Sequence, residues 1–150
     1  MQNLLLHVTF ATGLFVAATL RADDLDLLTG KWSVKKTNDQ GQNYTQTIEV
    51  KNGKFTFEII GSDDQVAIHA VGDLKLEKLG PFSSAKFTRI RAGQSDSSME
   101  DVDDEYVTIY VLDGDKLTMA TNFDKQRERQ KPTAEVYQKV KAAAPKPAAK

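Results

Sequence analysis

Leu27-Leu28-Thr29-Gly30-Lys31-Trp32-Ser33-Val34 is the stretch from which the rest of the chain can be read. A glycine stands two residues ahead of the only tryptophan, and Trp32 and Val34 alternate with Ser33 and Lys35. A period of two puts successive side chains on opposite faces, which marks a half-buried strand. The same period dominates from Lys31 to Val140, in short runs that could close over the indole.

Outward from that stretch, Asp39-Gln40-Gly41 makes a turn, and Tyr44, Gln46, Ile48 and Val50 alternate with Thr45, Thr47 and Glu49. Asn52-Gly53 follows at once, the pair best suited to the positive φ angles of a tight hairpin. The return run carries Phe55, Phe57 and Ile59 on one face. Beyond Gly61-Ser62-Asp63-Asp64, Val66, Ile68 and Ala70 alternate, then Leu74 and Leu76. Gly80-Pro81 punctuates. Ala85 to Arg91 is a less regular strand, because Phe87 and Ile90 fall on opposite faces. A polar stretch runs from Ala92 to Glu105. Tyr106 to Leu112 is apolar on both faces, as expected of a strand covered on both sides. Asp113-Gly114-Asp115 turns it back into Leu117, Met119, Thr121 and Phe123, and Ala134 to Val140 is the last strand.

About eight strands with short connections and no helical period of useful length predict an all-β chain of hairpins. Closing such a chain into a barrel removes both free edges. The expected fold is therefore an antiparallel up-and-down barrel, with an open sandwich as the alternative.

The chain has 150 residues, 40% hydrophobic and 27% charged, which is one soluble domain's worth. It has no cysteine, so disulfides, thiolate metal sites and cysteine nucleophiles are excluded. A net charge of −1 gives no basic footprint for nucleic acid. Asn3 to Leu20 contains no Asp, Glu, Lys or Arg, and Leu20-Arg21-Ala22 precedes Asp23-Asp24. An apolar run ending in a small residue before a polar stretch is the pattern of a cleaved secretory signal. Residues 1–22 are read as that signal, 23–141 as the barrel, and 142–150, rich in Ala, Pro and Lys, as a solvated tail without the apolar bulk to pack. A retained membrane anchor is the rival reading of the leader. With the signal removed, the product is expected to be exported, periplasmic or extracellular, monomeric and without stable membrane insertion.

Leu28-Thr29-Gly30-Lys31-Trp32, Lys86-Phe87-Thr88-Arg89-Ile90, Tyr110-Val111-Leu112-Asp113-Gly114-Asp115-Lys116-Leu117-Thr118-Met119 and Lys131-Pro132-Thr133 occur in that order. Together they make the chain resemble the lipocalin (calycin) superfamily, and more closely a group of small exported bacterial lipocalin-like proteins without assigned activity. The resemblance implies an antiparallel barrel with no catalytic residues to carry over. It also implies that Trp32, with Gly30, closes the barrel base. A late basic residue packs on the tryptophan's face in such proteins, and the last strand offers Lys139 where an arginine is more usual.

The chemistry-bearing residues are sparse. Of two histidines, His7 lies in the leader, and a lone His69 cannot build a multi-histidine metal site. Glu100-Asp101 and Asp103-Asp104-Glu105 are acidic, but lack the ligand spacing and central glycine of a calcium loop. There is no Gly-x-Ser-x-Gly and no glycine-rich phosphate loop. Lys125, Arg127, Arg129 and Lys131 lack the stacking aromatics of a single-strand nucleic-acid site. No enzyme, cofactor or metal centre is expected. The expected function is binding of a small, mostly apolar ligand in the barrel, with Tyr44, Phe55, Phe57, Tyr110 and Phe123 as candidate lumen-lining residues. If several of these bulky side chains point inward the lumen is solid. A filled barrel acting as an envelope interaction or structural module, through loops 94–104 and 124–130, is then the alternative.

Overall fold

The computed structural model describes residues 22–123 and 131–141. The expectations of a cleaved signal, a contact loop at 124–130 and a solvated tail at 142–150 lie outside the described residues, apart from Ala22. Within them the elements run α1 (Ala22–Leu28), β1 (Gly30–Thr37), β2 (Asn43–Lys51), β3 (Lys54–Gly61), β4 (Val66–Leu79) and β5 (Phe82–Gly93). A single 3₁₀ turn, Asp96–Ser98, leads to β6 (Glu100–Val102), β7 (Tyr106–Asp113), β8 (Lys116–Thr121) and β9 (Thr133–Lys139). The sheet order is β4-β3-β2-β1-β9-β8-β7-β5, and β5 also pairs with β4, so eight antiparallel strands close on themselves. The ninth strand, β6, pairs with the upper part of β5, above the β7 ladder. The fold is the closed barrel, not the open sandwich.

Local chemistry sets the hairpins. Asn52 and Gly53 adopt φ of 52° and 69°, the left-handed pair that matches the strand twist of a two-residue turn. Register then follows, from Tyr44↔Gly61 through Ile48↔Phe57 to Lys51↔Lys54. One feature escapes alternation. Arg89 has φ of 50°, and there the β5 register shifts by one residue against β4 and against the β6–β7 side. This β-bulge re-aims the strand, so Phe87 and Ile90 are both buried in the core although odd and even positions should part them. The polar stretch read as loop also holds a short strand, β6, and the 3₁₀ turn. The expectation that β7 is covered on both faces is overturned among the described residues: Val111 is 61% exposed on the outer wall, and no described element lies over it.

The base is closed by a short helix that is too brief to show a period in the sequence. In α1, Leu25 and Leu28 lie three residues apart and pack on the core, while Asp24 sits in its first turn, where a carboxylate suits the helix dipole. Trp32, 0% exposed, donates its indole N–H to the Leu28 carbonyl at 2.8 Å. Lys139 Nζ lies 5.0 Å from the Trp32 ring centroid and 3.4 Å from the Leu27 carbonyl oxygen. One ammonium thus covers the indole face and serves a free carbonyl at the helix C-terminus. Gly30 has φ of 127°, which strains any side chain there, and a Cβ would stand 3.3 Å from Lys139 Cε, so the lysine over the indole would have to shift as well. The β4–β5 hairpin overhangs this end. Leu74 N–H donates to Gly53 O at 2.8 Å, and the strand continues five residues, about 16 Å, past that point to exposed Leu79 and Phe82.

Candidate functional site at the barrel mouth

Inward-facing residues form layers, and the layers differ from one end to the other. In the lower half, Trp32, Ile48, Val50, Phe55, Leu74, Phe87, Tyr110, Leu117 and Met119 are buried together. Phe55 and Phe87 meet edge to face, centroids 4.9 Å apart and planes at 87°, which is a favoured aromatic geometry. Tyr110 reaches Asp24 of α1, its hydroxyl 3.5 Å from Oδ2. Burial and the neighbouring Asp24 charge push the Tyr110 phenol above its ordinary range. Of the five candidate lining residues, Phe55 and Tyr110 therefore fill the lumen rather than line a space within it.

In the upper half the same faces continue but are half-open to solvent. Phe57 pairs with Ala70 and Ile59 with Ile68 across β3 and β4, and Ala70 with Ala92 across β4 and β5. Phe57, Ile59 and Ala92 are half-buried, and Ile68 is 42% exposed. Phe123 is half-buried just past the end of β8. It follows Asn122, whose φ of 62° breaks the strand alternation there.

The opposite wall, β9–β1–β2, carries polar side chains on its inward face. Continuing the Trp32↔Lys139 register puts Tyr137 beside Val34 and Glu135 beside Lys36. Lys36 Nζ and the Glu135 carboxylate form an ion pair, their side chains 30% and 21% exposed. The same ammonium lies 6.0 Å from the Tyr44 ring centroid. Tyr137, 5% exposed, has its hydroxyl 3.1 Å from Glu135 Oε2 and 3.4 Å from the Gln46 side-chain amide. A phenol has one proton, which the nearer Glu135 carboxylate takes, and the Gln46 Oε1 lies beside the phenol with a lone pair to spare. Burial pushes the Tyr137 phenol well above its ordinary range, and the Glu135 charge and hydrogen bond add to that. For Lys36, burial favours the neutral amine, but the Glu135 hydrogen bond and charge outweigh it and raise the ammonium's pKa.

A depression of about 370 Å³ opens at this rim between Lys36 and Tyr44 on one side and Gly61 and Ser62 on the other. Another, of about 360 Å³, lies at the β2–β3 turn beside Glu49 and Lys54, away from the mouth. The rim volume is at the small end of the range for small-molecule sites.

Lys36, Gln46, Glu135 and Tyr137 were not singled out from the sequence. The signal was present, because Gln46 stands on the apolar face of β2, and Lys36 and Glu135 share parity with Trp32 and Tyr137. A polar residue on an inward face at the same end of three adjacent strands marks a mouth.

His69 is elsewhere, on the outer wall. Its Nδ1 is 3.3 Å from Glu58 Oε1 and its Nε2 is 3.2 Å from Asp96 Oδ1. The two carboxylates sit at opposite edges of the ring, so one metal ion could not take all three groups. Glu58 is also 3.4 Å from Thr47 Oγ1 and 3.6 Å from Lys31 Nζ. Among the acidic residues of 100–105, Asp101 lies 3.4 Å from Arg91 Nε and Glu105 pairs with Lys86. No trio of His, Asp or Glu among the described residues is arranged to hold a metal ion.

No family model, curated protein or solved structure matches the chain.

Proposed function

We propose that the chain is an exported lipocalin-like barrel that binds a small, mostly apolar molecule at its mouth and catalyses no reaction. One observation carries the reading: inward-facing Phe57, Ile59 and Ile68 stay partly solvated above a base in which the same face is fully packed. Large apolar groups left wet at a concave end gain when a ligand covers them, by about 25 cal/mol per Å² of apolar surface removed from water. The packed base restricts the ligand to the upper lumen and rim.

The full chain, titrated with the neutral fluorophore 1-N-phenylnaphthylamine, should give a saturable rise in emission. Phe57→Asp should abolish the rise while the far-ultraviolet circular dichroism stays that of a β-barrel. Emission that does not saturate, or is unchanged in Phe57→Asp, overturns the proposal.

A second reading, a barrel acting as an interaction module, is favoured by the outer wall. Val111, Thr118 and Val136 are consecutive cross-strand partners, and both valines are exposed. If Val111→Asp, and not Phe57→Asp, removes the fluorophore signal, the apolar site is on that wall.

A further inference from the structure

We infer that the mouth selects amphiphiles whose head is uncharged, such as an alcohol, ester or amide, over the carboxylate or ammonium of the same chain length. The inference rests on the mouth reading and adds the chemistry of the head to it. The mouth has one apolar wall, Phe57, Ile59 and Ile68 on β3 and β4, and one polar wall, Lys36, Gln46, Glu135 and Tyr137 on β1, β2 and β9. Such a two-faced cup fits a molecule with a tail and a head.

The charges on the polar wall cancel. Lys36 and Glu135 are already paired, and the outer lip of the rim depression repeats the balance with Lys35 and Asp64. A carboxylate head approaching Lys36 meets Glu135 on the same ammonium, and an ammonium head approaching Glu135 meets Lys36. Neither finds a net potential to offset the loss of its own hydration, which is costly for an ion and modest for a hydroxyl.

A neutral head, in contrast, finds partners that need no rearrangement. The Lys36 ammonium has three N–H donors; Glu135 and the neighbouring Tyr44 take up to two, which leaves one for a head group. The Gln46 Oε1 faces the Tyr137 hydroxyl at 3.4 Å, and its second lone pair is left to accept from a head group. One donor and one acceptor on adjacent strands match a hydroxyl or an amide.

The test is displacement of 1-N-phenylnaphthylamine from the full chain by 1-decanol, decanoate and decylammonium at neutral pH, below their aggregation concentrations. Tail burial is common to all three, so differences report the head. Decanol should displace at roughly tenfold lower concentration than either ion, the worth of one charge-assisted hydrogen bond left uncompensated. Glu135→Gln leaves Lys36 unbalanced and should move the preference to decanoate; Lys36→Met should move it to decylammonium. If either ion displaces the fluorophore from the native chain as well as decanol does, the inference is wrong and the mouth reading stands. If the fluorophore does not bind, both fall. The comparison on the native chain decides the matter even where a variant fails to fold.

Discussion

The two ends of this barrel are made from the same strands and the same alternation, yet one end is solid and the other is not. At the base, Trp32 is sealed between α1 and Lys139, with Leu117, Tyr110 and the Phe55–Phe87 pair completing the fill. At the mouth the inward positions carry Lys36, Gln46 and Glu135 on one wall and half-open Phe57, Ile59 and Ile68 on the other. The contrast teaches that close packing is confined to one end of the barrel axis, and the proposed reading assigns recognition to the other. Packing makes the base worth several kcal/mol per side chain, while partly solvated groups contribute less to folding and leave apolar surface uncovered.

The largest effect should come from the base. Trp32→Ala removes a fully buried indole and should lower the unfolding free energy by about 3–5 kcal/mol in urea titration. Phe57→Ala, its counterpart at the mouth, should cost about 1 kcal/mol. Equal losses would mean that the two ends are packed alike.

Next comes pH, which tests the mouth's polar wall. The Tyr137 phenol is held protonated in the fold, whereas in the unfolded chain it ionises near pH 10. Its contribution to stability is therefore complete below about pH 10 and is lost above it, at up to about 1.4 kcal/mol per pH unit. Tyr110 and Lys36, whose pKa values are also raised, act in the same direction. Tyr137→Phe should flatten the alkaline fall of the urea midpoint by one group's share; an unchanged slope would show that the phenol is not held as described.

A smaller effect belongs to Lys139. Lys139→Met keeps the aliphatic stem over the indole but loses the charge at the Leu27 carbonyl, which should cost about 1 kcal/mol. Lys139→Arg should restore it, since a guanidinium stacks at least as well. Smallest of all, Ile68→Ser should change stability by no more than about 0.5 kcal/mol while weakening the fluorophore severalfold. Stability lost without any change in binding would place Ile68 in the core and not in the cup.

The sequence made the architecture readable wherever one residue type dictates a backbone state. Asn52-Gly53 fixed a hairpin. Alternation alone did not say which faces turn inward, because several strands are apolar on both sides; the pairing of Trp32 with Ile48 and of Ile48 with Phe57 supplies that. Three things stayed hidden. The Arg89 bulge depends on a non-glycine residue at positive φ, which nothing in its type announces. The helix α1 spans only seven residues and is held by tertiary contacts, not by its own propensity. Exposure of Val111 reflects the absence of a covering layer among the described residues, and β-branched residues suit a strand whether or not one is present. At the site the loss was of another kind. Tyr44, Phe55, Phe57 and Tyr110 were all recognisable as bulky inward candidates, but alternation has no height, so it could not separate the pair that fills the base from the pair that reaches the mouth. The ion pair of Lys36 with Glu135 joins residues at opposite ends of the chain and is invisible until β9 lies beside β1.

That meeting of β1 and β9 has a consequence of its own. The ladder there holds only Trp32↔Lys139 and Ser33↔Gln138, and Val140 N–H then donates to Lys31 O at 2.8 Å, so the first and last strands of the barrel meet at its base. A circular permutant that joins the end of β9 to the start of α1 through a linker long enough to cross the base, and opens instead at Gly80-Pro81 in the overhanging hairpin, keeps every strand neighbour. Its new termini would hang beyond the base, leaving the cup and its charged lip untouched.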